Sequence, residues 1–196
     1  MFLDIKKHCL LCWVIVLVLS GCSSIKIEHE TAYSRRAREP LYNLDKWLFN
    51  GRLVITGQND SWSANINWKH VVDKEEIKLS GPLGQGATVI KLSDDLVSVD
   101  RGNGKVQTSE QPEEFINQQL GVFVPIKSLR YWVIGLPEPS QSFVDTSDGF
   151  TQEDWLVRYA QMQAVNGQSM PRKITVSNSR VKLKLIIDQW ILNDVN

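Results

Sequence analysis

Residues 62–68 read WSANINW, and their alternation decides the fold class. Side chains on an extended chain point to opposite faces in turn, so Trp62, Ala64, Ile66 and Trp68 share one face while Ser63, Asn65 and Asn67 share the other. Residues 181–187, VKLKLII, repeat the pattern, with Val181, Leu183, Leu185 and Ile187 opposite Lys182 and Lys184. Strands of this kind bury one face only, as in an antiparallel sheet. Working outward, alternation or near-alternation recurs at residues 51–56, 76–79, 88–92, 96–99, 155–159, 174–176 and 190–192. Turn-forming residues separate these runs at Gly57-Gln58-Asn59-Asp60, Gly81-Pro82-Leu83-Gly84, Gly102-Asn103-Gly104 and Ser177-Asn178-Ser179. The spacing predicts an α+β, mainly β chain built on one large antiparallel sheet, curved or partly closed.

Two short helices are expected to interrupt the sheet. Pro112 suits a first helical turn, Glu113 and Glu114 sit at the positive end of the dipole, and Gly121 ends the run. From Pro125 to Gly135, Ile126, Leu129 and Val133 recur at helical spacing. Each helix is apolar on one side, which fits packing on the concave face of the sheet. Seven tryptophans, six of them in the mature chain, can fill a packed core or line a lipid pocket, and periodicity alone favours the packed core.

The loop SGPLGQGA, residues 80–87, places Leu83 at the tip of a Gly-Pro turn, where an apolar side chain has no regular partner face. Single exposed leucines are common. On a protein tied to a membrane, however, such a leucine can enter the lipid interface.

The amino terminus supplies a tie of this kind. Lys6 and Lys7 precede an apolar run from Cys9 to Leu19, about the length of a secretion signal and short of the roughly 20 residues that a spanning helix needs. Leu19-Ser20-Gly21-Cys22 resembles a bacterial lipobox, in which the Cys22 thiol carries a diacylglyceryl group and the residues before it are cleaved away. Residues 1–21 are therefore expected to be a removed signal peptide, residues 22–40 a lipidated cysteine and flexible tether, and residues 41–196 the folded domain. After cleavage Cys22 is the only cysteine, so no disulfide can form within the mature chain and the fold must stand on its core. At about 0.8 kcal/mol per buried CH₂, two or more acyl chains anchor firmly where one is marginal. Ser23 rather than Asp follows the cysteine, which the lipoprotein resemblance makes compatible with the outer membrane.

Charge and chemistry exclude several functions. Lys+Arg and Asp+Glu both total 22, and the mature chain is close to neutral, so no basic field is available for nucleic acid. Arg35, Arg36 and Arg38 read as a solvated cluster in the tether. His29 and His70 are the only histidines beyond the signal, too few for a metal cluster or a Ser-His-Asp arrangement. Glu75-Glu76 and Asp94-Asp95 are neighbours on strand edges or turns and face opposite ways, which suits solvated charges better than paired acids. Gly102-Asn103-Gly104-Lys105 lacks the spacing and the following Ser/Thr of a phosphate loop. No catalytic, metal or nucleotide site is expected.

Several segments in order complete the pattern: the lipobox at Cys22, WLFNGRL (47–53), WSANINW, GPLG (81–84), LRYWVIGLP (129–137), DWLVRY (154–159), Met170-Pro171 and VKLKLIIDQW (181–190). In their order and spacing they resemble the LolB family of outer-membrane lipoproteins, over essentially the whole mature domain. That resemblance implies an unclosed β-barrel with a helical lid over an apolar cavity. It implies a receptor that faces the periplasm, takes acylated lipoproteins from the carrier LolA and releases them into the inner leaflet of the outer membrane. It further implies a covalent diacylglycerol and N-acyl lipid on Cys22, no other cofactor, and a protruding Leu83 held by Gly81, Pro82 and Gly84 that aids insertion. Trp62, Ile66, Trp68, Leu79, Val89, Leu183 and Leu185 are expected to line or support the cavity, with Leu129 and Val133 as its cover. Three acyl chains of about 16 carbons would cost roughly 35 kcal/mol to expose to water, so free diffusion of cargo is excluded. Without a nucleotide site the transfer must run downhill, and one-to-one handover favours a monomer. The rival reading is a structural outer-membrane lipoprotein that binds polypeptide or peptidoglycan through a sheet edge; a lipid or cell-wall hydrolase ranks below it, for want of a nucleophile with a base.

Overall fold

The computed structural model describes residues 32–58, 60–81, 86–93, 96–121 and 123–193. Eleven strands run β1 (Lys46–Thr56), β2 (Ser61–Val71), β3 (Lys74–Ser80), β4 (Thr88–Ser93), β5 (Leu96–Asp100), β6 (Val106–Ser109), β7 (Phe143–Thr146), β8 (Gly149–Gln152), β9 (Trp155–Val165), β10 (Gln168–Ser177) and β11 (Lys182–Leu192). They form one sheet in the order β6-β5-β4-β3-β2-β1-β11-β10-β9-β8-β7, antiparallel throughout. Two meanders are thus joined by the pairing of β1 with β11, and β6 and β7 remain as free edges. The sheet is unclosed, as the family resemblance implies. Helices α1 (Pro112–Leu120) and α2 (Ile126–Val133) lie in the chain between those two edge strands, so the connection from one edge to the other carries the helices.

Local chemistry sets these boundaries. α1 starts with Pro112, carries Glu113 and Glu114 in its first turn and ends at Gly121, whose left-handed φ of 73° glycine adopts without a Cβ penalty. On β1 the odd positions Trp47, Phe49, Leu53 and Ile55 are buried. β11 joins the two runs read separately from the sequence, 181–187 and 190–192, into one strand. A bulge explains the apparent break: Asn50 faces Gln189 but Gly51 faces Ile187, so Asp188 is extra, and both Asp188 and Gln189 are exposed. The bulge moves Trp190 onto the buried face in phase with Ile187. Gly51 sits opposite, where a Cβ would overlap the carbonyl oxygen of Ile186.

Two expectations need correction. Strands β6, β7 and β8 escaped the sequence reading because VQTS and FVDT are exposed at nearly every position, while GFTQ is only four residues long and buried on both faces, so none carries an alternating apolar signal. The flexible tether expected for residues 22–40 also ends early. Arg36–Asn43 form a 3-10 helix in which Arg38 and Leu41 are buried, and Tyr33 stacks on Tyr159 with ring centroids 4.3 Å apart. The folded unit therefore takes in residues from Tyr33 onward. Polar composition concealed this packing, because Leu41 is the one aliphatic anchor and the others are Tyr33 and Arg38. Among the described residues no helix is long and apolar enough to cross a membrane.

Candidate functional site

The concave face of the sheet has two chemically different halves. At the end where β1 begins and β11 finishes, Trp47, Phe49, Trp68 and Trp190 form an aromatic floor with ring centroids from 5.0 to 5.9 Å apart. Toward the other end these strands and the neighbouring β3 and β4 carry Leu53, Ile55, Ala64, Ile66, Leu79, Ile90, Leu183 and Leu185, all buried. Rigid rings thus close one end of the interior, while flexible aliphatic side chains line the other. Alanine at position 64, in phase between Trp62 and Ile66, leaves space there. An open cavity of about 200 Å³ lies against Trp62, Ala64, Leu79, Ile90 and Val99, with Ser80, Thr88 and Arg101 at its polar side, and it reaches Gly81 and Gly86.

Of the residues expected to build the cavity, the structure places Trp62, Ile66, Leu79, Leu183 and Leu185 on this face, with Leu129 and Val133 buried on α2. Trp68 belongs to the floor: it is buried and its Nε1 donates to Glu75 Oε2 at 2.6 Å, so it supports the interior from beneath the aliphatic half. Val89 is a correction. Its cross-strand partners are the exposed Lys78 and the half-buried Asp100, and it shares a convex-side cleft with Lys78, Lys91 and Val106. Ile90, paired with Ile77 and Val99, takes the interior position. A one-residue error of phase reverses a strand residue's face, and the sequence run TVIKL fits either phase. Leu83, Pro82 and Gly84, like Cys22, lie outside the described residues.

The sequence reading missed a polar cluster inside the barrel. Glu75 is buried and accepts from Trp68; its Oε1 lies 2.7 Å from His70 Nδ1 and 3.7 Å from Nη1 of Arg130 on α2. His70 stacks on Trp47 at 5.1 Å. Glu76, by contrast, faces outward to Lys78 and Lys91, and the hydrogen bond from Lys78, with the charges of both lysines, holds its carboxyl below the usual range. The pair Glu75-Glu76 thus splits across the sheet as strand geometry requires. The available signal was the hairpin register, which sets His70 directly opposite Glu75 across the Val72-Asp73 turn.

A second cluster lies behind the carboxyl end of α2. Arg38 is buried and donates to the carbonyls of Ile134 and Ser169, and burial pulls its pKa down to about 10, still cationic at neutral pH. Tyr33 donates to Gly135 O at 3.2 Å, Tyr42 to Pro137 O at 2.8 Å and Tyr159 to Trp132 O at 2.7 Å. Desolvation raises the pKa of all three tyrosines. A cation and three hydroxyls therefore satisfy carbonyls at and just beyond the negative end of the helix. Arg35, read from the sequence as solvated, pairs with Asp145 at 2.9 Å.

Comparisons with known proteins show the family and the fold. The family model described as "Outer membrane lipoprotein LolB" matches residues 45–190. A protein named Outer-membrane lipoprotein LolB from Pseudomonas fluorescens is 31% identical over 188 residues, covering 90% of this chain and 92% of its own. One of the same name from a Marinomonas species is 32% identical over 182 residues, covering 89% and 93%. Among solved structures, a LolA superfamily protein from Nitrosomonas europaea superposes with a TM-score of 0.50 at 8% identity, covering 82% of this chain and 92% of that one, a likeness of fold alone.

Proposed function

The chain belongs to the outer membrane lipoprotein LolB family, and from that premise we propose that it is a lipoprotein receptor of the outer membrane, not an enzyme, which accepts acylated lipoproteins from the carrier LolA and passes them to the inner leaflet without nucleotide hydrolysis. The observation that carries this reading is the aliphatic half of the concave face, with its cavity opening beside the 81–86 loop. Residues 1–21 act as a removed signal, Cys22 bears the diacylglycerol and N-acyl lipid, and the domain faces the periplasm as a monomer. Leu83, presented by Gly81, Pro82 and Gly84, enters the bilayer during release.

Capacity adds a constraint. A cavity of about 150 Å³ accommodates benzene, so the 200 Å³ space here holds only a fraction of an acyl chain of about 16 carbons. Loading must therefore displace something that now fills the interior, and the incoming chain must replace the apolar contacts that are lost.

The test uses a soluble form lacking Cys22, offered a carrier loaded with an acylated lipoprotein, with wild type and Leu83→Glu compared for later delivery to liposomes. Stripping by both with delivery only by wild type is the expected outcome. If neither form strips the carrier, the transfer reading fails, and a scaffold that pairs a partner along free edge β6 or β7 takes its place.

A further inference from the structure

The two helices that cover the interior are fastened in different ways. α2 and the residues after it are held by polar contacts on several sides: Trp132 Nε1 donates to Gln152 Oε1 at 2.8 Å, Arg130 reaches Glu75, and Tyr33, Arg38, Tyr42 and Tyr159 take the carbonyls from Trp132 to Pro137. Gln152, fully buried, also donates to Glu138 O at 2.8 Å and fixes the chain beyond the helix. α1 differs. Its side chains hydrogen-bond within the helix, as Gln118 to Glu114 at 3.2 Å, and to the chain at the start of α2, where Val124 N meets Asn117 Oδ1 at 2.8 Å and Lys127 N meets Glu113 Oε1 at 3.4 Å. α1 meets the interior through the buried Ile116 and the half-buried Phe115, and the Asn117 amide nitrogen is buried without a partner.

This difference decides which helix an acyl chain can displace. Lifting α2 would leave buried donors and carbonyls unpaired, at about 1–3 kcal/mol each, and would strand the Arg38 cation. Lifting α1 exposes mainly apolar surface, which an incoming acyl chain covers again. Gly121, with its positive φ, provides a turning point at the carboxyl end of α1. Beside it a cleft of about 670 Å³, bordered by Gly57, Asp60, Gly121, Phe123, Asp154 and Arg180, opens at the same end of the barrel as the 81–86 loop.

We propose that residues Tyr33–Tyr42 form a strap that makes α2 a fixed wall of the cavity, with Arg38 as its positioning residue, so that acyl chains enter by displacement of α1 alone. The fit is built from both sides: Gly135 has a φ of 88°, and a Cβ there would overlap the Arg38 guanidinium. The strap also lies on the segment that leads back to Cys22, so a pull on the anchor is borne by α2 and leaves the moving helix unloaded. The gating half of this inference rests on the acyl-binding function proposed above.

Hydrogen exchange on the full chain reconstituted in lipid nanodiscs tests the strap without cargo. In wild type, amides of residues 112–121 are expected to exchange at least tenfold faster than those of 126–135. Arg38→Met should raise exchange across 126–135 at least tenfold, and Arg38→Lys, which keeps a cation at the helix end, should restore most of the protection. Tyr42→Phe serves as the milder variant if Arg38→Met does not fold. With a fluorescent triacylated lipopeptide, Arg38→Met should release the probe at least fivefold faster. Unaltered exchange across 126–135 in Arg38→Met, or lipopeptide that loosens α2 rather than α1, overturns the inference. Failure of wild type to bind the lipopeptide overturns the acyl-binding function instead, and it is distinguishable because the strap is read from exchange with no lipopeptide present.

Discussion

Ala64 controls the size of the interior space, because every in-phase neighbour on β2 is larger. Replacing it by phenylalanine places a ring in a void of about 200 Å³ with little strain elsewhere, so Ala64→Phe should leave the melting temperature within a few degrees of wild type while weakening lipopeptide binding at least tenfold. Unchanged affinity in a fluorescence titration would show that cargo does not use this space. Trp68→Ala acts on the floor rather than the cavity: it removes a fully buried ring and one donor to Glu75, and a loss of about 3–5 kcal/mol in urea denaturation is expected. Gly135→Ala meets both an unfavourable φ and the Arg38 guanidinium, so it should cost roughly 2 kcal/mol or more. A fully stable Gly135→Ala protein would mean that the strap can move aside.

At the scale of elements, the joint between the two meanders is the pairing of β1 with β11, and its register depends on the bulge at Asp188 opposite Gly51. A slip of one residue would carry Trp190 and Leu192 to the convex face and open the aromatic floor. Gly51→Ala puts a methyl against the Ile186 carbonyl and should lower stability by about 3 kcal/mol or more, with exchange accelerated first along β1 and β11. Exchange that rises evenly over all strands would argue against a joint of this kind. The helices were placed from sequence nearly to the residue, since Pro112, Gly121 and Pro125 act locally. Their unequal attachment was not readable, because the partners of α2 come from positions about 20 to 100 residues away in the chain.

Across the whole molecule, alkaline pH should act through the strap. Tyr33, Tyr42 and Tyr159 have raised pKa values in the folded state, so their contribution to stability is complete below the ordinary tyrosine value of 10.0 and is lost as pH rises above it. Arg38, lowered to about 10, acts with the opposite sign above that pH, one group against three. Melting temperature is therefore expected to hold to about pH 10 and then fall, less steeply in Tyr33→Phe; an identical slope in that variant would remove Tyr33 from the account. The sequence by itself determined the mainly β class, one large antiparallel sheet, the helix ends and most of the buried strand positions, because strand alternation, turn residues and helix breakers are local properties; that the sheet stays unclosed came from the family resemblance. Only the tertiary structure decided that residues 33–43 belong to the folded unit, that Val89 yields its place to Ile90, that Glu75 and His70 are buried together, and that one covering helix is pinned while the other is not. Those outcomes depend on which distant strand or carbonyl meets a given side chain, and a polar residue carries no mark in the sequence of whether it will find water or a buried partner.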